Sequence, residues 1–458
     1  MPHLSAFSKS AQRLLAATML LTLSACFMGP SEDEGNENVP PPRVITRPST
    51  QTPAAPAASS ATNPALPPVT ANPNDGFAPP SHLNKDEPLA PGTFAPASHI
   101  GEAAKATTVK VGLLIPMSGD SKALGQSLLD AAVLAVYDKY SVLSPREISA
   151  KIELLPEDTG DTVEGAEKAA QDAMASGATL ILGPVFGKQV TAVASLTRSK
   201  HVPIITFSNN AAIAGDGVYL FGFLPEQQVA RIVQYSADHK MLNIAALVPS
   251  NPYGAAIVKQ LSAEVRKKGG RAYPIEYYPE NMTALDVNVG RLARYLQDDP
   301  HKGQALFIAE GSQKLKTLID TLAANGITSA NVQLLGTGLW DDPEITRLPA
   351  LAGGLFASSP PEKYHAFEQH FISTYNYKPE RRASLSYDAV ALASTIAIGS
   401  AGAGFPTAAI TDPVGFSGPA NGIFRFHPDG TIERGLSVLR ITPGGFSTIE
   451  AAPTEFNQ

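Results

Sequence analysis

The sequence predicts an α/β architecture built as two similar lobes with a cleft between them. Three observations carry this. From residue 109 onward, short β-rich apolar runs alternate with stretches of helical periodicity three times over. The clearest part of that alternation is ATLILGPVFGKQVTAVASLTRSKHVPIITFSNN, residues 178–210. It reads as strand, turn, helix, strand: a βαβ unit, whose strands lie parallel and whose crossover is right-handed. A second alternating set then begins near residue 227, so the pattern is doubled within one chain.

The N-terminal part precedes these lobes and has a different character. Lys9 and Arg13 lead into an apolar run, residues 14–23, which is too short to span a bilayer and right for a secretory leader. It ends in Leu23-Ser24-Ala25-Cys26, which resembles the bacterial lipobox and makes Cys26 the lipidated first residue after a leader of residues 1–25. Cys26 is the only cysteine, so with lipidation no thiol remains for a disulfide, a metal or a nucleophile. Phe27 follows where many inner-membrane lipoproteins have Asp, and this implies sorting to the periplasmic face of the outer membrane. Residues 26–107 read as a disordered linker. Of 39 prolines, 16 fall between Pro30 and Pro96, and no hydrophobic period is present. A stretch of about 80 such residues reaches roughly 250 Å as polyproline II, or roughly 50 Å as a flexible coil.

The elements of the folded part, residues 108–450, follow in order. Residues 109–115 form a strand, Pro116-Met117-Ser118-Gly119 a turn, and 122–140 a helix with Leu124, Leu128, Ala132 and Ala135 on one face. Residues 152–155 and 163–176 are the second strand and helix, followed by the βαβ unit. The second set has helices at 227–239, 255–268, 287–296 and 313–325 and strands at 244–248, 272–277, 305–309 and 333–335. Helices at 364–375 and 386–398 follow. The chain then closes on a hairpin-like pair, 422–427 and 436–441, around Pro428-Asp429-Gly430.

In open parallel sheets ligands gather at the carboxyl ends of the strands. Here those ends include Gly183–Lys188 and Ser208–Asn210, which are short and polar or Gly-containing. Enzyme chemistry finds little to use. Gly119-Asp120-Ser121 with Asp298-x-x-His301 has the residues of a serine esterase, but over 150 residues follow the dyad where such enzymes end. Gly183–Lys188 is one residue short of a phosphate-binding loop, and Gln189 replaces its Ser or Thr. The nine histidines lack metal-ligand spacing, and no cofactor motif is present. A net charge of −7 argues against a nucleic-acid partner.

The motifs VKVGLLIPMSG, Gly183-Pro184, PIITFSNN, Asn251-Pro252-Tyr253-Gly254, Ser386-Tyr387-Asp388-Ala389-Val390 and NGIFRFHPDG occur in one order across residues 109–445. In that order they resemble the type I periplasmic binding proteins, nearest the leucine and branched-chain amino-acid group. The resemblance implies two Rossmann-like lobes joined by three hinge crossovers, placed near 221–227, 356–361 and 415–422. Lobe 1 is then about 108–223 with 360–415, and lobe 2 about 224–359 with 416–450. The cleft candidates are Ser118, Phe186, Gly187, Ser208, Asn209, Tyr253, Glu310 and Trp340. Tyr253 fits an aromatic wall and Glu310 an acceptor for an α-ammonium. Trp340 has two readings, cleft wall or lobe core. One departure stands out: amino-acid binders have Ser or Thr just after the Gly-Pro turn, and here the residues are Phe186-Gly187-Lys188. A nested resemblance lies in Phe223-Leu224-Pro225-Glu226, GTGLWDDPE and GGLFASSPP, which look like the lipoprotein activators of penicillin-binding proteins. Two non-catalytic functions are implied. One is docking to a peptidoglycan synthase. The other is delivery of an amino-acid-like solute to the permease of an ABC importer.

Overall fold

The computed structural model describes residues 106–298 and 304–456. Cys26, the leader, nearly all of the linker and His301 lie outside the described residues.

The first sheet comes from a strand–helix alternation that holds as far as β4, after which only a short 3-10 turn, Ala211–Ile213, leads to the last strand. Its elements are β1 (Thr107–Ile115), α1 (Lys122–Ser141), β2 (Ala150–Asp158), α2 (Val163–Ala175), β3 (Leu180–Leu182), α3 (Gly187–Arg198), β4 (Ile204–Thr206) and β5 (Val218–Leu220). The strands are all parallel, in the order β2-β1-β3-β4-β5. Strand β1 shows why both faces need cover. Val111, Leu113 and Ile115 join one core with Leu128 and Ala132 of α1, while Leu114 joins a second with Ala170 of α2 and Val190 of α3. A parallel strand buried on both sides has to read as a continuous apolar run, and this one does.

The second sheet repeats the scheme with α4 (Pro225–Asp238), β6 (Asn243–Pro249), α5 (Pro252–Lys267), β7 (Arg271–Tyr278), α6 (Leu285–Asp298), β8 (Ala305–Ile308), α7 (Ser312–Ala324), β9 (Gln333–Gly336) and β10 (Leu355–Ser358). Alternate residues of β6 again part company: Ala245 and Leu247 face the core of α6 and α7, and Ile244, Ala246 and Val248 that of α4 and α5. The chain then returns to the first lobe as α8 (Pro361–Tyr375), α9 (Ala383–Gly399) and the short α10 (Thr407–Ile410). Phe367, Phe371, Val390 and Ala393 pack into the same core as Val111 and Leu113.

The C-terminal part differs from the hairpin read in the sequence. Strands β11 (Phe416–Gly418), β12 (Gly422–Phe426) and β13 (Ile432–Arg434) form a small antiparallel sheet. Strand β12 pairs with 432–434, not with 436–441. Those later residues form β14 (Ser437–Thr442), which lies antiparallel to β10, with β15 (Gly445–Glu450) outside it. The Asp-Gly turn is real, but its partner strand is three residues long. Phe424, Phe426 and Ile432 bury in the first lobe's core, so the last passage between lobes comes at 434–437 and not near 415–422, and 416–434 go with the first lobe and not the second. Arg434 ties that passage to the first one by donating from Nη2 to the Phe221 carbonyl at 2.5 Å.

Candidate functional site

On the first lobe, two strand ends are tied together by short polar contacts. Gly183 takes a φ of +87°, and a side chain there would meet the Leu114 carbonyl oxygen at 2.2 Å. The chain can therefore turn sharply after β3 and start α3 at Gly187. Thr206 Oγ1 donates to the Pro184 carbonyl at 2.7 Å, and Ser208 Oγ accepts the Asn210 amide at 3.2 Å. Phe186, as the residue before α3, offers no side-chain cap. The first amides of that helix are thus left for another partner. A cavity of about 370 Å³ opens here, lined by Phe186, Gly187, Lys188, Ser208, Asn209, Phe223 and Arg382 among others. Four of the sequence candidates meet in it.

Ser118 is elsewhere. Its loop is folded back by Asp158 Oδ1, which accepts the amides of Met117 (2.8 Å), Ser118 (3.2 Å) and Gly160 (2.8 Å). Burial pushes the Asp158 carboxyl up, but the Ser118 hydroxyl and these three amides outweigh it and hold it below the usual range. Ser118 lines neither this cavity nor the two others described below.

On the second lobe, Tyr253 stands where an aromatic wall is expected. Its hydroxyl lies 3.1 Å from Thr337 Oγ1, and it lines a cavity of about 240 Å³ with Asn209, Phe223, Gln228, Leu339, Asp341 and Arg381. Burial pushes its phenol up to about 12. Glu310 is already engaged: Oε2 accepts the Tyr278 hydroxyl at 2.6 Å and Oε1 the Gly311 amide at 3.0 Å. Trp340 is a correction to its reading as a cleft wall. It is 0% exposed, lies over Gly336, and donates from Nε1 to the Glu310 carbonyl at 3.0 Å. It packs with Phe356 and Ile345 because the turn after β9 folds it inward rather than toward the cleft.

The residue that organises the cleft was absent from the sequence candidates. Arg381, just before α9, sends Nη1 to Ser384 Oγ (3.0 Å) and Asn421 Oδ1 (3.1 Å), and Nη2 to Asp341 Oδ2 at 3.3 Å. Its guanidinium lies 3.9 Å from the centre of the Tyr364 ring and 4.8 Å from that of Phe223. Asp341 is held in turn by the Ser358 hydroxyl at 2.7 Å. Arg381 belongs to the first lobe and Asp341 to the second, so this ion pair spans the cleft. No motif marks Arg381; only the fold brings it to Asp341, 40 residues away in the chain.

Among the described residues, no group of three or more His, Cys, Asp or Glu side chains is placed to hold a metal. No described helix is long and apolar enough to cross a membrane.

The fold has many relatives among solved structures. A leucine-binding protein from Thermotoga maritima is 17% identical, covers 75% of this chain and 98% of its own, and superposes with a TM-score of 0.55. For a putative branched-chain amino acid ABC transporter protein from Rhodospirillum rubrum the values are 17%, 75%, 100% and 0.65. A solute-binding protein of an ABC transporter from Rhodopseudomonas palustris, solved with 3,4-dihydroxybenzoic acid, gives 19%, 76%, 97% and 0.56. At such identities the likeness shows the fold. A curated relative, an uncharacterized protein of Rickettsia prowazekii, is 25% identical over 209 residues, 42% of this chain and 53% of its own length. The chain thus spans about half of that relative. The family model described as periplasmic binding protein matches residues 108–445, nearly the whole two-lobed body. The chain belongs to the periplasmic binding protein family, with the two-lobed fold of its type I, leucine-binding-like members.

Proposed function

We propose that this protein is a docking module: a lipid-anchored periplasmic protein whose two lobes bind and stimulate a peptidoglycan synthase of the penicillin-binding class. The observation that carries this reading is the Arg381–Asp341 pair. A solute-binding cleft draws its closing energy from the ligand, which bridges two lobes that otherwise part by hinge motion. Here a pair belonging to the protein itself, stacked on Tyr364 and Phe223, bridges them instead. Phe186, standing where a hydroxyl would hold a carboxylate, supports the same reading. So do the lipobox-like Cys26, Phe27 and the long Pro-rich stretch before the lobes.

A second reading, the solute-binding component of an ABC importer, is favoured by the 240 Å³ cavity between Asn209 and Tyr253. Thermal unfolding of the full chain with amino acids and benzoates separates the two. A ligand at a hundredfold excess over its Kd adds about 2.7 kcal/mol, a rise of a few degrees for a body of this size. No shift with any solute, together with binding to a purified synthase, is the outcome expected. A clear shift with a branched-chain amino acid or an aromatic acid, without synthase binding, would make this a transport component.

A further inference from the structure

A cavity of about 870 Å³ along the cleft is bordered by the Arg381–Asp341 pair. Its walls come from the segment after β9, the first half of α8, and residues 378–381. Apolar groups line much of it: Leu339, which is 48% exposed, with Phe446, Pro343, Pro361 and Pro379. The charge around them is one-sided. Five carboxylates (Asp341, Asp342, Glu362, Glu368, Glu380) share the groove with two permanent cations. Both cations are already answered inside it, Lys378 by Glu368 at 3.1 Å and Arg381 by Asp341 at 3.3 Å. Asp342 and Glu362 are left with no ion-pair partner among the described residues, while Glu380 makes no close pair but lies within electrostatic reach of Arg382 in the adjoining cavity. Asp342 does accept the Glu344 amide at 2.8 Å.

We propose that this groove docks an extended segment of a partner protein that carries Lys or Arg between Pro or aliphatic residues. This rests on the docking reading and names the chemistry of the partner. These three carboxylates come from three separate stretches of chain along the groove, and among the described residues no three acidic side chains are gathered closely enough to hold a metal. A lone metal ion needs convergent oxygens. A basic peptide suits both features: its aliphatic and proline atoms cover the exposed Leu339, and its cations meet the uncompensated acids.

The test uses the full chain and two fluorescent nonapeptides in which Pro and Leu alternate with either Lys or Glu. Fluorescence anisotropy is expected to show binding of the Lys peptide alone, weakening steeply between about 50 and about 500 mM salt. Glu362 and Glu380 are exposed, so the double variant Glu362→Lys/Glu380→Lys is expected to keep the fold, which circular dichroism and the urea midpoint check. Its affinity for the Lys peptide should fall roughly tenfold or more. Equal binding of the two peptides, or an unchanged affinity in the variant, overturns the proposal. Stimulation of a purified synthase is read in parallel. If the variant stimulates as well as the wild type, the groove is not the docking contact, while the docking reading stands. If the wild type takes the Lys peptide but ignores every synthase, the docking reading falls and the basic-peptide groove remains.

Discussion

Arg381 shows how one side chain can hold two lobes. It makes three charge-assisted hydrogen bonds and stacks on two rings, and it is only partly exposed. Arg381→Ala should lower stability by about 2 kcal/mol, read by urea denaturation, and increase the radius of gyration in small-angle scattering as the lobes part. Retention of the wild-type scattering profile would mean the pair does not hold the cleft. Asp388 offers a pH test. It is buried beside the last hinge passage, accepts the Ala420 amide at 2.8 Å and the Asn421 side chain at 2.9 Å, and burial pushes it up to about 6. Its folded pKa therefore exceeds its ordinary value of 3.8. Its contribution is fully present below the lower value and is lost as pH rises through the upper one. Between pH 5 and 7 the wild type should lose stability through this group, and Asp388→Asn should remove that slope from urea midpoints. Asp158 and Glu276, held below their ordinary values of 3.8 and 4.5, act only in more acid solution.

At the scale of single elements, the turn after β9 illustrates a constraint that works at close range. Gly336 lies so near the Trp340 ring that an added Cβ would sit 2.3 Å from it. Gly336→Ala should therefore destabilise by about 1–3 kcal/mol through overpacking. Trp340 is the only tryptophan, so its emission reports this one site. The wild type should emit at short wavelength and resist acrylamide quenching, and Gly336→Ala should shift the emission to the red. Emission from the wild type at the wavelength of free tryptophan would contradict the buried placement. The β12–β13–β14 region teaches a related lesson. Asp429-Gly430 marks a turn, but turn chemistry does not state how long the returning strand runs before it leaves. Gly435 follows β13 at once, and β14 then pairs with β10 in the other lobe, a pairing distant in sequence.

For the whole molecule, the division into two sheets follows from which apolar faces cover which. The helices α8 and α9 lie late in the chain but complete the first lobe, so the two lobes are joined by repeated passages rather than by one linker. Cavities lie along the line between the lobes, and the Arg381–Asp341 pair borders two of them. If that pair sets the closure, the wild-type scattering profile should not change when amino acids are added. A contraction with one of them would show that the lobes were open and that a solute closes them.

The two-lobed α/β plan is legible in the chain because apolar period and turn residues act within ten or twenty positions of one another. Strand ends in a parallel sheet face the crevice by topology, which marked Phe186, Gly187, Ser208 and Asn209, while Tyr253 came through the family resemblance; all five line cavities in the structure. Tertiary structure decided the rest. The inward turn of Trp340, the engagement of Glu310 by Tyr278, the withdrawal of Ser118 onto Asp158 and the meeting of Arg381 with Asp341 all depend on contacts between distant segments. Such contacts leave no local period or spacing in the chain, since what fixes them is the packing of one lobe's loops against the other's.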